Sequence, residues 1–434
     1  MLRAARSIRI TAVRIGSSAA LLVALLLLPA SHVPLQGAVS PSSEVRGLWV
    51  LRTSLTSRAS IERTVRDAAA NGFNTLFVQV RGRGDAYYLG GQEPVADAVT
   101  AQPGAFDPLA TVLALAHPLG LRVHAWMNIS LVASARTRPT SSAHVMVRHP
   151  DWLMVPRELA RELAHVPASE PAYAERLAQW TRGQVGEIEG LYVSPILPEV
   201  AEYDAALVGD LVKRYRLDGV HLDYVRYPSS DFDYGAHALT EFRETVVSDL
   251  SADERERLER RYLTDPLAYV EAFPLRWSGF RRTRLTALVM KVRAALKAAR
   301  PEALLSAAVI PNANEAVEHR LQDWSLWLDA QLLDVVCPMI YTPDAALFRS
   351  QLDDLSVRAS LRPRIWAGIG AYRLTPSQTV FNIRTARDAA VGGVILFSYD
   401  SVVDPARRMP NYLSQVSQQA FSAEPIRSTL RRHR

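Results

Sequence analysis

Eight short apolar runs recur along the chain, and their spacing limits the fold more than any other feature. They occupy residues 46–52, 75–81, 122–128, 219–226, 304–312, 334–341, 364–370 and 392–400. Each is rich in branched and aromatic residues, as buried strands are. Their starts lie 29, 47, 97, 85, 30, 30 and 28 residues apart. About 30 residues makes one strand–loop–helix–loop unit. Helical periodicity fills the gaps, at 61–71 closed by Gly72, at 108–119 closed by Gly120, and at 204–215 ahead of the fourth run. Eight such units predict an α/β fold of the (β/α)8 TIM-barrel kind. An open doubly wound sheet is the alternative, but no Gly-rich phosphate turn follows the first run. The long spacings are insertions, 129–203 after strand three and 228–284 after strand four. Barrels of this kind place their specificity loops at that end.

Composition and charge narrow the class. Of the 434 residues 48% are hydrophobic, enough for a large core, and the single Cys337 excludes a disulfide scaffold. The formal net charge is +6. Arg3, Arg6, Arg9 and Arg14 at one end and Arg427, Arg431, Arg432 and Arg434 at the other account for it. Without those eight, 42 basic residues face 44 acidic ones, so no nucleic-acid partner is expected. The early arginines precede the apolar run 19–28, about half of the roughly 20 residues that span a bilayer. With Ala38 and Ser40 as small residues at a cleavage site, residues 1–40 read as an export signal. A barrel domain over 41–421 and a basic tail over 422–434 complete the expected organisation, with no transmembrane segment in the mature chain. The expected location is the periplasm, envelope or medium, with an uncleaved N-terminal anchor as the alternative.

Strand alternation separates two faces. Leu76, Val78 and Val80 oppose Gln79 and Arg81; Val123, Ala125 and Met127 oppose His124, Trp126 and Asn128. Val220 and Leu222 oppose His221 and Asp223, while Ile395 and Phe397 oppose Ser398 and Asp400. Asn312, Tyr341 and Trp366 come from strands five, six and seven. The apolar set must meet the helices, so the polar set is expected inside, near the C-terminal ends. One inward His or Asn is more often a core group than a catalyst. Seven strands contributing together point to a polar pocket with aromatic walls. Such a pocket suits a sugar ring, apolar on its C–H face and hydroxylated at its rim.

Glycoside hydrolysis generally uses two carboxylates. Asp223 and Asp400 are the inward pair, with Asp223 expected as proton donor and Glu315 as the foremost loop alternative for its partner. Gln79, Arg81, His124, Trp126, Asn128, His221, Arg226, Asn312, Tyr341 and Trp366 form the expected substrate-binding set. No cofactor or metal is expected, since His117, His144 and His149 lack paired ligand spacing.

Several motifs follow in order. They are Arg46-Gly47-Leu48-Trp49, Asn71-Gly72-Phe73-Asn74-Thr75, Gln79-Val80-Arg81 and His124-Ala125-Trp126-Met127-Asn128. Then come Leu217-Asp218-Gly219-Val220-His221-Leu222-Asp223-Tyr224-Val225-Arg226-Tyr227-Pro228, Gln322-Asp323-Trp324 and Pro338-Met339-Ile340-Tyr341-Thr342. Ala367-Gly368-Ile369-Gly370 and Leu396-Phe397-Ser398-Tyr399-Asp400 close the series. Over residues 44–420 it resembles the bacterial glycosyl-hydrolase-like 10 family (DUF187). The resemblance implies an exported TIM-barrel glycosidase, and some members are implicated in cleaving peptidoglycan glycan strands stripped of peptides. Many members carry Asp-Pro-Gly before the helix leading to strand four, where this chain has Ser194-Pro195-Ile196. The strand-four motif is also similar to that of family-18 chitinases. There His221 stands for the middle Asp and Val225 for the catalytic Glu, so substrate-assisted hydrolysis through that acid is closed. The expectation is a glycoside hydrolase acting on an envelope or extracellular polysaccharide. The alternative is a carbohydrate-binding barrel without turnover.

Overall fold

The apolar runs become strands β1 (Val45–Val50), β2 (Thr75–Arg81), β3 (Arg122–Asn128) and β4 (Gly219–Asp223), then β5 (Leu304–Val309), β6 (Val335–Ile340), β7 (Trp366–Ile369) and β8 (Gly393–Leu396). In this computed structural model, which describes residues 44–421 apart from 185, 187 and 408, they close into one parallel barrel. Neighbours in sequence are neighbours in the sheet, and β8 returns to β1 with Val45 beside Gly393. The expected (β/α)8 barrel is the fold. The expected export signal and basic tail lie outside the described residues.

Around the sheet run α1 (Arg58–Ala70), α2 (Pro108–Ala116), α3 (Pro198–Arg214), α4 (Pro274–Ala299), α5 (Trp324–Asp329), α6 (Ala345–Ser356), α7 (Pro376–Asp388) and α8 (Tyr412–Ala420). Their starts are written locally. Asp107 accepts the Ala110 amide at 2.9 Å just ahead of Pro108, and Thr375 and Gln378 form a reciprocal capping box ahead of Pro376. The helix-facing residues Leu76, Val78, Val80, Val123, Met127, Val220 and Leu222 are all buried in the main core. Each such side chain contributes about 1.5–3 kcal/mol on burial.

Aromatic rings share the barrel interior with aliphatic side chains such as Val45 and Val335. Trp49, Phe77, Trp126, Trp366 and Ile395 form one cluster there. Gly368 makes room for it, because a Cβ at that position would lie 2.7 Å from the Pro338 carbonyl and 2.9 Å from the Trp49 ring.

Both insertions rise from the C-terminal end of the barrel. Between β3 and α3, Leu131–Ala133 pairs antiparallel with Leu191–Tyr192, and a helix Pro171–Gly183 packs on a small core containing Val132, Leu153 and Leu177. Between β4 and α4, helices Ala236–Val247 and Ala252–Tyr262 enclose Phe242 and Trp277. Helices α3 and α4 begin at Pro198 and Pro274, so both insertions end earlier than expected. Among the described residues no helix is long and apolar enough to cross a membrane.

Candidate active site

β4 stops at Asp223 because Tyr224 takes φ +51°, a left-handed conformation that turns the chain out of the sheet. The turn brings two donors onto one carboxylate oxygen. Asp223 Oδ1 accepts the Tyr224 amide at 2.7 Å and the Arg226 guanidinium at 3.0 Å. Arg226 also lies over the Tyr224 ring, 4.4 Å from its centre. Burial opposes the charge on Arg226, but Asp223 and Tyr224 outweigh it and hold the guanidinium above its ordinary value. The Tyr224 phenol points to a second acid and donates to Glu189 Oε2. Burial, then Asp223 and Glu189, push that phenol far up, so it remains a donor.

These groups line a cavity of about 440 Å³ at the barrel mouth. Its walls include Trp49, Trp126, Tyr224, Tyr341, Tyr372 and Phe397, and its polar edges include Gln79, Asn128, Arg52 and Arg83. Tyr341 and Phe397 stack with centres 5.2 Å apart. Burial, then Asp223, push the Tyr341 phenol well up. Trp126 donates its indole N–H to Asn128 Oδ1 at 3.0 Å, and the Asn128 amide donates to the Gly82 carbonyl at 2.8 Å. Asn128 lies beside Asp223 in register, and the Ile129 amide bonds the Asp223 carbonyl at 2.8 Å.

The structure therefore gathers Gln79, Trp126, Asn128, Asp223, Arg226 and Tyr341 at one cavity. Seven other expected site residues lie elsewhere. A register shift after Gln79 turns Arg81 away from the axis. It is buried in an ion pair with Glu93 at 2.7 Å and donates to the Asn128 and Ile129 carbonyls. His124, His221 and Trp366 do face inward, but below the mouth in the packed interior. His221 accepts from the Trp49 indole at 3.1 Å, so its Nδ1 carries the proton and faces Ser306 Oγ at 2.9 Å. His124 packs between Phe77 and Trp366, with neither ring nitrogen hydrogen-bonded among the described residues. Burial pushes both imidazoles down to about 3 and keeps them neutral.

Asn312 lies beyond the end of β5 and caps the helix Ala313–Arg320, accepting the Glu315 amide at 2.9 Å. Glu315 lines a separate cleft. Asp400 also lies past its strand. It accepts the Leu51 amide at 2.7 Å and the Thr53 and Ser54 hydroxyls at 2.9 and 2.7 Å, so it fastens the turn after β1, and it is not among the residues that line the mouth with Asp223. The inward residues of β8 are Ile395 and Phe397, the reverse of the expected parity. Both faces of this strand are apolar, so polarity carried no information about direction. Alternation along strands also missed Glu189, which reaches the mouth from the insertion. It missed Trp49 as well, which shares its face of β1 with Gly47 while Leu48 and Val50 take the other, so polarity did not tell the two faces apart. Among the described residues no three His, Cys, Asp or Glu side chains are grouped to hold a metal.

A parallel eight-stranded barrel with two acids among aromatic rings at its C-terminal mouth has the make-up of a barrel glycoside hydrolase. Residues 44–380 match the family model described as Glycosyl hydrolase-like 10, and the chain belongs to that family. Glycosyl hydrolase DigH of Escherichia coli is 26% identical over 387 residues, covering 80% of this chain and 77% of the relative. The glycoside hydrolase domain of PgaB (BpsB) from Bordetella bronchiseptica superposes with a TM-score of 0.60 at 12% identity, covering 88% of this chain and 100% of that one. The catalytic domain of β-amylase from Paenibacillus polymyxa gives 0.55 at 11% identity, over 88% and 100% of the two chains. At these identities the two solved structures are alike in fold.

Proposed function

We propose that the protein is an exported glycoside hydrolase acting on a polysaccharide of the bacterial envelope or matrix, with peptide-free peptidoglycan strands as the first substrate to test. The observation that carries this reading is the pairing of Asp223 with Glu189 across Tyr224 in an aromatic-walled mouth. Oδ1 of Asp223 already receives two donors, one of them cationic. That arrangement suits a carboxylate acting as an anion, either attacking the anomeric carbon or taking a proton from water. Glu189, in the more open position, then protonates the departing glycosidic oxygen. This exchanges the roles expected from sequence, where Asp223 was the proton donor.

The Asp223–Arg226 ion pair also favours a second reading, a carbohydrate-binding barrel without turnover, because it occupies the acid on one side. One experiment separates the two. The purified protein is incubated with peptide-free glycan strands and a polysaccharide panel, and new reducing ends are counted. New ends support the hydrolase, and binding without new ends supports the second reading. N-terminal sequencing of the protein recovered from envelope and medium tests export. A start near Pro41 supports cleavage, an intact Met1 there means an anchor, and full retention in the cytoplasm removes export.

A further inference from the structure

The mouth is not a closed end. A larger cleft, about 720 Å³, opens beside it between Trp180 of the first insertion, Phe232 of the second, and Glu315 and Arg320 of the helix after β5. The two spaces adjoin along the chain. Ile188 lines the cleft and Glu189 the mouth, while Arg226 lines the mouth and Pro228 the cleft. Between that second pair, the Tyr227 amide bonds the Arg320 carbonyl at 3.0 Å. Arg83 lines both the mouth and a third cleft of about 400 Å³, which shares no residue with the large one. The mouth that holds the two acids thus adjoins a cleft through Ile188–Glu189 and Arg226–Pro228 and another through Arg83.

The large cleft has the elements of a sugar platform. The Trp180 ring is half-buried, edge-on to Phe232 at 5.7 Å, and its indole N–H is fixed on Glu158 at 2.8 Å. The side chains of Glu315 and Arg320 have no ion-pair partner among the described residues, which leaves them for hydroxyls. We infer that this cleft is a distal glycan subsite, with Trp180 as its stacking face, and that the protein takes an internal stretch of a polymer instead of a chain end. This rests on the glycosidase reading above and adds where the rest of the chain binds.

The test uses peptide-free peptidoglycan strands sorted by length, with the wild-type chain, Trp180→Ala, Trp180→Phe and Arg320→Gln. For wild type, kcat/KM should rise with strand length, and early products should be of mid length. Trp180→Ala should lose about tenfold on long strands, the factor that about 1.4 kcal/mol represents, and little on the shortest ones. Trp180→Phe should recover most of that loss, and Arg320→Gln should lower the long-to-short ratio. If Trp180→Ala does not fold, the other two variants decide, and an unchanged ratio in both overturns the subsite. Equal loss on all lengths, or single terminal units as first products, also overturns it. If wild type cleaves no strand, the glycosidase reading fails and binding decides the subsite. Affinity that grows with length and drops in Trp180→Ala keeps it, and affinity independent of length removes it.

Discussion

Replacing Asp204 with Asn should tilt the stability of the whole barrel against pH. Asp204 sits on α3, fully buried, 3.8 Å from the Arg81 guanidinium, with neither carboxylate oxygen hydrogen-bonded among the described residues. Burial outweighs the attraction of Arg81 and pushes the carboxyl up to about 7. Burial likewise pushes Asp233, which accepts from Ser194, up to about 7. In the unfolded chain an Asp titrates near 3.9. From about pH 4 to 7 the folded protein therefore holds protons that the unfolded chain has released. The stability from these two acids is complete below pH 4 and is lost as pH rises towards 7. His124 and His221 work the other way. They are pushed down to about 3 in the fold, against about 6.5 unfolded, so stability falls as pH drops from about 6.5 to 3. Each group contributes about 1.4 kcal/mol per pH unit within its window. Between about pH 4 and 6.5, two rising and two falling contributions nearly cancel. Asp204→Asn removes one falling contribution. Its stability relative to wild type should climb across pH 4–7 by about 4 kcal/mol in all. Urea unfolding of both proteins at unit pH steps measures the difference. If the two curves run parallel from pH 4 to 8, Asp204 does not hold a proton in the fold and the reasoning is wrong.

Asp223→Asn and Glu189→Gln should each lower turnover by at least about a hundredfold, within the 10²–10⁴ that acid–base groups supply, with little change in melting temperature. Reducing-end assays with parallel melting curves check this, and near-normal turnover in either variant removes that residue from the chemistry. Asp400→Ala leaves the Leu51 amide without its acceptor and should cost about 1–3 kcal/mol, while folded protein turns over as wild type does. Trp366→Ala should cost about 3–5 kcal/mol and leave the glycan affinity of the folded fraction unchanged, measured by denaturant unfolding and calorimetry.

The barrel was legible because its signals are local and repeated. β2 and β3 match the expected runs to the residue, and Gly72 and Gly120 close their helices with φ near +72° and +73°. Within the strands, alternation placed Gln79, Trp126, Asn128 and Asp223 correctly on the mouth side. It failed where a strand was not regular, and on β8, where both faces are apolar. One register shift redirected Arg81, and β5 and β8 ended before Asn312 and Asp400, whose side chains then took local hydrogen bonds. Depth along a strand was the other blind spot. His124, His221 and Trp366 face inward as expected but lie a layer too low, and alternation reports direction without height. Glu189 carried no local signal, because its place depends on an insertion folding back across the barrel mouth.

That dependence separates the two acids physically. Asp223 is set by β4, paired in register with β3 and clamped by the turn at Tyr224 and by Arg226. Behind it, Arg81 ties down the Asn128 and Ile129 carbonyls, and Ile129 in turn bonds the Asp223 carbonyl. Glu189 instead hangs from the short antiparallel pair Leu131–Ala133 and Leu191–Tyr192, with its amide 3.3 Å from the Tyr192 phenol. The Val193 amide fixes that pair to the Ser130 carbonyl at 2.8 Å. One acid is thus held by the barrel sheet itself, and the other by a two-stranded pair that straddles two cores, with Leu131 and Tyr192 in the main one and Val132, Ala133 and Leu191 in that of the insertion. Two short strands are marginal alone, and only one side of this pair packs on the main core, so the insertion should loosen before the barrel does. Activity should consequently fade below the global melting transition, with Glu189 leaving Tyr224 while Asp223 stays in register. Activity and far-ultraviolet melting curves taken on the same sample would show that gap, and coincident curves would mean that the insertion and barrel unfold as one unit.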